Sequence, residues 1–145
     1  MSEIHDLFHS IQQLARQLTK SLNTALHPFN IYSSEWTVLY VLKKKGPLTQ
    51  KEIAEYLSIE APPVTRTIKK LVEKDYCLQV KGNDKRTNHV VLTELAFLEF
   101  PKWEEAVLQA NQELIQKLPH TSVEQFEEFK FIVTAWSNSL AVREE

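Results

Sequence analysis

Between residues 61 and 74, hydroxyl and basic side chains recur at helical spacing. Thr65, Arg66, Lys69 and Lys70 fall on one side of such a helix, and Val64, Ile68, Leu71 and Val72 fall on the other. The planar guanidinium of Arg66 can donate two parallel hydrogen bonds to guanine or to a phosphate. Ala61 and Pro62, small and apolar, permit close approach and contact with thymine methyls. Thr49 and Gln50 stand at the start of an earlier helix, where backbone N–H groups and the helix dipole favour a phosphate. Lys81, Asp84, Lys85 and Arg86 cluster at a turn between two apolar runs, and the charge and fork of Arg86 suit a narrow minor groove. The shared chemistry of these residues is recognition of a polyanion, with duplex DNA the best match in width and donor pattern.

Other reactive residues are less organised. Cys77 is the single cysteine, which excludes an intramolecular disulfide framework and a Cys-rich zinc module. Its apolar, strand-like context is that of a buried structural thiol. His5 and His9 stand i,i+4 with Asp6 between them, half of a transition-metal site, but no third ligand accompanies them. A solvated helix start is the reading, and no metal or cofactor is expected. His89 suits either a phosphate contact or a plain strand surface. His27, Phe29, Tyr32, Trp36 and Tyr40 gather where two helices meet, either as ordinary packing or as the lining of an aromatic cleft. No serine has an elbow-like glycine context, and neither H-E-x-x-H nor a P-loop occurs. An enzyme is not expected.

The elements that must position these groups follow from periodicity. Ile4, Leu7, Phe8, Ile11, Leu14, Ala15, Leu18, Leu22, Ala25 and Leu26 predict an amphipathic helix of about six turns ended by Pro28. Its stripe is too long for a small domain to cover, so pairing with a second chain is expected. A second helix runs from Ser33 or Ser34 to Lys43–Lys45, where lysines suit the dipole and Gly46-Pro47 stops it. Thr49 and Glu52 form a capping box for a short helix carrying Ile53, Ala54 and Leu57 inward. Pro63 disfavours a helical Pro62, so the next helix is expected to start at Pro63. Runs 76–81 and 87–93 read as a hairpin. Thr93 caps a further helix in which Pro101 should kink or interrupt the chain near residues 97–101. Thr121 and Glu124 form another capping box, ahead of an amphipathic last helix.

The chain has 145 residues, 43% of them hydrophobic and 25% charged, and its two glycines, Gly46 and Gly82, are too few for a β-sandwich or a Gly-rich phosphate loop. No apolar run reaches the length of a membrane span, and the N-terminus lacks the order of a signal peptide. A cytoplasmic protein with no membrane partner is expected. The formal net charge of −2 conceals an uneven distribution. Residues 43–93 hold eleven basic groups against six acidic ones, and residues 94–145 hold four against ten. A basic middle between acidic flanks suggests one surface that faces a polyanion.

Helix, short helix, turn, helix and hairpin over 33–93 is the order of a winged helix-turn-helix. The fold class expected is mainly α with a small β-hairpin wing. Leu48-Thr49-Gln50-Lys51-Glu52-Ile53-Ala54-Glu55-Tyr56-Leu57, Val64-Thr65-Arg66 with Ile68-Lys69-Lys70-Leu71-Val72-Glu73-Lys74, and Asp84-Lys85-Arg86-Thr87 followed by Val90-Val91-Leu92-Thr93-Glu94 resemble the multiple antibiotic resistance regulator (MarR) family. The resemblance covers nearly the whole chain, and Asp-x-Arg followed by Leu-Thr is its most specific part. It implies a single domain over 1–145, with dimerisation helices at 1–30 and 95–145 and a DNA-binding region at 33–94. It implies a homodimer on a roughly palindromic double-stranded DNA operator, usually a repressor relieved by a small molecule or by oxidation. Arg86 would be the minor-groove arginine and Asp84 the carboxylate that orients it; Thr65, Arg66 and Lys69 would face the major groove. Inducer pockets of the family lie near the first helix junction, so the aromatic set there would take a small aromatic or lipophilic effector. Oxidation-sensing cysteines of the family lie in the first helix, unlike Cys77. Four features depart from the pattern: Glu60 at the cap, Pro62-Pro63 before Val-Thr-Arg, Leu95-Ala96 after the wing, and Pro101. The competing expectation is a winged-helix interaction adaptor without DNA binding, against which the basic Arg66, Lys69, Lys70 and Arg86 speak.

Overall fold

A computed structural model describes residues 2–82 and 86–141. In chain order they form α1 (Ser2–Leu26), a 3-10 turn (His27–Phe29), α2 (Ser33–Lys45), β1 (Leu48–Thr49), α3 (Gln50–Leu57), α4 (Ala61–Glu73), β2 (Cys77–Lys81), β3 (Asn88–Leu92), α5 (Glu94–Gln116) and α6 (Val123–Ala141). The chain makes two compact units, residues 1–111 and 112–145. The winged helix-turn-helix expected from the sequence is present in the first. No helix among the described residues is long and apolar enough to cross a membrane.

The core of the first unit is built around Trp103, Phe100, Leu39, Ile53, Ile68 and Leu71, all at most 2% exposed. Phe100 stacks on Trp36 with ring centroids 5.3 Å apart, and Tyr76 meets Trp103 edge-on at 4.8 Å. Such aromatic pairs add to the area they bury. By contrast, α1 leaves Ile4, Leu7, Phe8, Ile11, Leu14 and Leu18 between 40 and 57% exposed. The second unit consists of the end of α5 and α6; α6 has no buried residue, and Phe129, Phe131, Ile132 and Leu140 are at least half exposed.

The sheet is antiparallel with the order β1-β3-β2. Leu48 pairs with Val90 and Thr49 with His89, so the two-residue β1 widens the expected hairpin to three strands. A two-residue strand carries too little periodicity to be read from sequence. The wing hairpin runs from Cys77 opposite Leu92 to Lys81 opposite Asn88, and Gly82 N–H donates to the Thr87 carbonyl at 3.0 Å. A Cβ at Gly82 would sit 2.7 Å from the His89 ring, so any other residue there needs that ring to shift.

Two helix starts differ from the sequence expectation, and of the kink or interruption expected at Pro101 the interruption does not occur. The helix expected from Pro63 starts at Ala61, with Glu60 as an extended N-cap that makes no side-chain cap bond. Both prolines fall in the first turn, where missing N–H donors cost nothing, and this outweighs the reluctance of a pre-proline residue to be helical. Pro101 does not interrupt α5, which continues to Gln116. The lost N–H leaves the Phe97 carbonyl without its helical donor, but Phe100 and Trp103, 2% and 1% exposed, anchor the turns on either side of the defect. The cap of the last helix is Ser122 with Gln125, one residue later than the expected Thr121 and Glu124. Gln125 N–H donates to Ser122 Oγ at 3.0 Å and Ser122 N–H to Gln125 Oε1 at 2.9 Å. Thr121 instead donates its hydroxyl to the Pro119 carbonyl at 2.6 Å. Two overlapping S/T-x-x-E/Q patterns were available, and the local turn took Thr121 out of one of them.

Candidate nucleic-acid interface

The face begins at α3. Thr49 Oγ1 accepts the Glu52 N–H at 3.1 Å and Glu52 Oε1 accepts the Thr49 N–H at 3.0 Å, the expected capping box. These contacts hold the Glu52 carboxyl below its ordinary 4.5, the Thr49 backbone N–H first and its hydroxyl second. Gln50, the first residue of α3, is partly exposed. Its Oε1 lies 2.9 Å from Thr65 Oγ1 on α4, and its Nε2 lies 3.5 Å from Gln79 Oε1 on β2. Thr65 Oγ1 is also 3.1 Å from the Ala61 carbonyl, so its single proton has two acceptors to choose from. Gln50, Thr65 and Gln79 thereby bring three elements together at one exposed spot. Gln79 was not legible in the sequence, since an exposed strand glutamine carries no spacing signal.

On α4, Val64, Ile68 and Leu71 are buried, while Ala61, Pro62, Thr65, Arg66, Lys69 and Lys70 are exposed. The inward set fixes which side of the helix faces out. Arg66, Lys69, Lys70 and Lys81 make no ion pair with a described residue. Arg86 is exposed on the wing, whereas Asp84 and Lys85 lie outside the described residues. His89 is half buried in β3 opposite Thr49, its Nδ1 is buried without a hydrogen-bond partner among the described residues, and its ring packs on Gly82. The His89 ring therefore packs near the turn end of the hairpin.

The aromatic set is divided. Trp36 is 6% exposed and stacked in the core, and Tyr40 lies 5.9 Å from it but is 44% exposed. Phe29 packs partly against the core, while His27 and Tyr32 are exposed. A cleft of about 430 Å³ lies nearby and takes only Tyr32 from this set. The start of α2 forms one wall of it, with Ser33 and Ser34; Pro63, Arg66, Thr67 and Lys70 of α4 form the other. Cys77 is fully buried, and burial pushes its thiol up to about 12, the condition of an unreactive group. His5 and His9 are exposed on α1, and among the described residues no three His, Cys, Asp or Glu side chains converge as a metal site.

The MarR family model matches residues 31–87, which run from the start of α2 to the wing. The HTH-type transcriptional regulator YwoH of Bacillus subtilis is 47% identical over 109 residues, covering 75% of this chain and 80% of that protein. This chain belongs to the MarR family of transcriptional regulators. Solved MarR structures share its fold. A MarR transcriptional regulator from Methanosarcina mazei Go1 superposes with a TM-score of 0.82 at 21% identity, covering 96% of this chain and 99% of the other. A point mutant of MarR from E. coli, complexed with operator DNA, superposes with a TM-score of 0.81 at 24% identity, covering 92% and 94%. Pro62-Pro63 and Pro101, which depart from the family pattern, are accommodated in continuous helices.

Proposed function

We propose that the protein is a homodimeric regulator that reads a roughly palindromic duplex operator through α4 and the wing. The observation that carries this reading is the two-sided α4: Val64, Ile68 and Leu71 are locked inward while Thr65, Arg66, Lys69 and Lys70 are left outward beside Gln50. A helix of this width enters the major groove. Arg66 supplies bidentate donors, Lys69 and Lys70 neutralise phosphates, and Ala61 and Pro62 lie close to the bases. Thr49 and Gln50 meet a phosphate at the α3 N-terminus, and Lys81, Asp84, Lys85 and Arg86 serve the neighbouring minor groove. In E. coli MarR, the fold is found bound to operator DNA.

Dimerisation is supported by the apolar faces that α1 and α6 expose, since patches of this extent mark interaction sites. Repression, action in the cytoplasm and relief by a small aromatic or lipophilic effector at the α1–α2 junction complete the proposal. His27, Phe29, Tyr32, Trp36 and Tyr40 are the residues assigned to that effector. The test is binding of the purified protein to duplex DNA from upstream of its own gene, at about 50 and 200 mM salt, against a scrambled competitor. Specific binding that weakens by orders of magnitude across that range supports the reading. Binding that is flat with salt, or equal on both duplexes, points to the adaptor. A folded monomer at micromolar concentration by sedimentation removes the dimer.

A further inference from the structure

Glu35 is the one buried charged side chain among the described residues, 1% exposed. It sits in the first turn of α2, and its Oε1 accepts the Tyr32 N–H at 2.9 Å. Lys74, which follows the last residue of α4, reaches across to it. Lys74 Nζ is 2.9 Å from Glu35 Oε1 and donates to the Asn30 carbonyl at 2.7 Å. It also lies 2.8 Å from Glu35 Oε2, outside hydrogen-bond geometry but at ion-pair distance, and 5.4 Å from the centre of the Tyr32 ring. Towards its start, α4 faces the same part of α2 across the open cleft between Ser33–Ser34 and Arg66–Lys70. Glu35 and Tyr32 line that cleft, and Lys74 ties the end of α4 to this Glu35. The next residue, Asp75, is left-handed with φ 64°, and its carbonyl accepts the Thr93 hydroxyl at 2.6 Å at the cap of α5.

We infer that Lys74 is a positioning residue for DNA reading, an inference that rests on the proposed function. Through Glu35 and the Asn30 carbonyl it fixes the angle at which α4 presents Thr65, Arg66 and Lys69 to the groove. It also joins that angle to the α1–α2 turn. Ile68 and Leu71 hold α4 to the core through non-directional apolar contacts, whereas a charge held at one acceptor in α2 and one in the turn before it defines direction. A buried ion pair is weak evidence of net stabilisation, and its better attested use is to specify one arrangement.

The test compares wild type, Lys74→Met, Lys74→Arg and the double variant Glu35→Gln with Lys74→Met, which keeps an acceptor for the Tyr32 N–H and buries no charge. The probe is a duplex selected by the wild-type protein from a random-sequence pool, with a scrambled duplex as control. Lys74→Met is expected to melt earlier because it leaves Glu35 without a cation. The double variant is expected to regain most of the thermal stability, yet to bind the selected duplex at least about tenfold more weakly. Its affinity for the scrambled duplex is expected to stay within about twofold, because every phosphate-facing cation is retained. Lys74→Arg, which still reaches both acceptors, is expected to recover specific binding. A double variant with wild-type affinity for the selected duplex overturns the inference. A DNA-free arm stands beside this: hydrogen exchange in the double variant should quicken together in 31–35 and 61–73 and stay unchanged in α3. Unchanged exchange in 61–73 overturns the inference by itself. If the wild type selects no duplex, the DNA-reading proposal fails and exchange alone decides the role of Lys74.

Discussion

Arg66→Ala is the sharpest perturbation of the proposed reading face. Arg66 is exposed on α4, one residue after Thr65 and four before Lys70, and makes no ion pair with a described residue. Its removal should change folding stability by no more than about 0.5 kcal/mol, the range of ordinary surface substitutions. Its effect on binding should be far larger. A good bidentate contact to guanine discriminates by about 1–3 kcal/mol, and a symmetric dimer loses two, so affinity for the operator should fall at least about 30-fold. If Arg66 instead grips a phosphate, the loss is shared by the scrambled duplex. In that case two fewer counterions are released per dimer, so the slope of log affinity against log salt becomes shallower by about 1.8. Over a fourfold change in salt the variant would then lose about tenfold less affinity than the wild type. Fluorescence anisotropy on operator and scrambled duplexes at several salt concentrations, with a melting curve for each protein, separates these outcomes. Binding of both duplexes within twofold of wild type, at unchanged melting temperature, refutes the assignment of this face.

Arg86→Ala should weaken operator binding at unchanged melting temperature, because Arg86 is exposed on the wing and away from the buried core; unchanged affinity by anisotropy removes the wing from the mechanism. Cys77, fully buried with its thiol raised from 9.0 to about 12, should resist thiol reagents until the protein unfolds. It adds no pH dependence below about 9. As pH rises from there towards about 12, the unfolded chain ionises and the folded one does not, so stability should fall by up to about 1.4 kcal/mol per pH unit. Urea unfolding at pH 8 and 10.5 should show a steeper loss of stability in wild type than in Cys77→Ala, which keeps only the contribution of other groups such as the raised Tyr76; equal slopes contradict it. Pro101→Ala should raise stability by about 1–3 kcal/mol, since it restores a donor to the Phe97 carbonyl in an exposed, continuous stretch of α5. An unchanged or lower melting temperature would mean that the proline ring itself is favoured there.

Local chemistry with strong periodicity is legible in the sequence. The α3 capping box, the inward Val64-Ile68-Leu71 row and the stop at Gly46, which is left-handed at φ 82°, are decided within a few residues, and sequence reasoning located each of them. The errors occur where two local rules compete. At Pro62-Pro63, pre-proline sterics argued for a late start, and the absence of any acceptor for first-turn N–H groups favoured an early one. At Thr121 and Ser122, two capping patterns overlap by one residue, and the side chain that could also bond the Pro119 carbonyl did so. At Pro101, a rule about backbone donors met an aromatic core that the sequence could not place in space.

The longest-range features were not legible at all, and they bear most directly on the proposed reading of DNA. Lys74 and Glu35 are separated by 39 residues and Gln50 and Gln79 by 29. Neither pair follows a spacing rule, because one depends on how α4 crosses α2 and the other on where β2 lies against the start of α3. Glu35 in particular reads as an ordinary acidic residue in the first turn of a helix, favourable to the dipole and expected in solvent. Only the fold reveals that the same carboxylate is buried, caps Tyr32 and holds the residue that ends the recognition helix. Sequence therefore identifies the outward side chains proposed to touch DNA, while the tie proposed to orient them, Lys74 on Glu35, is announced by no local pattern.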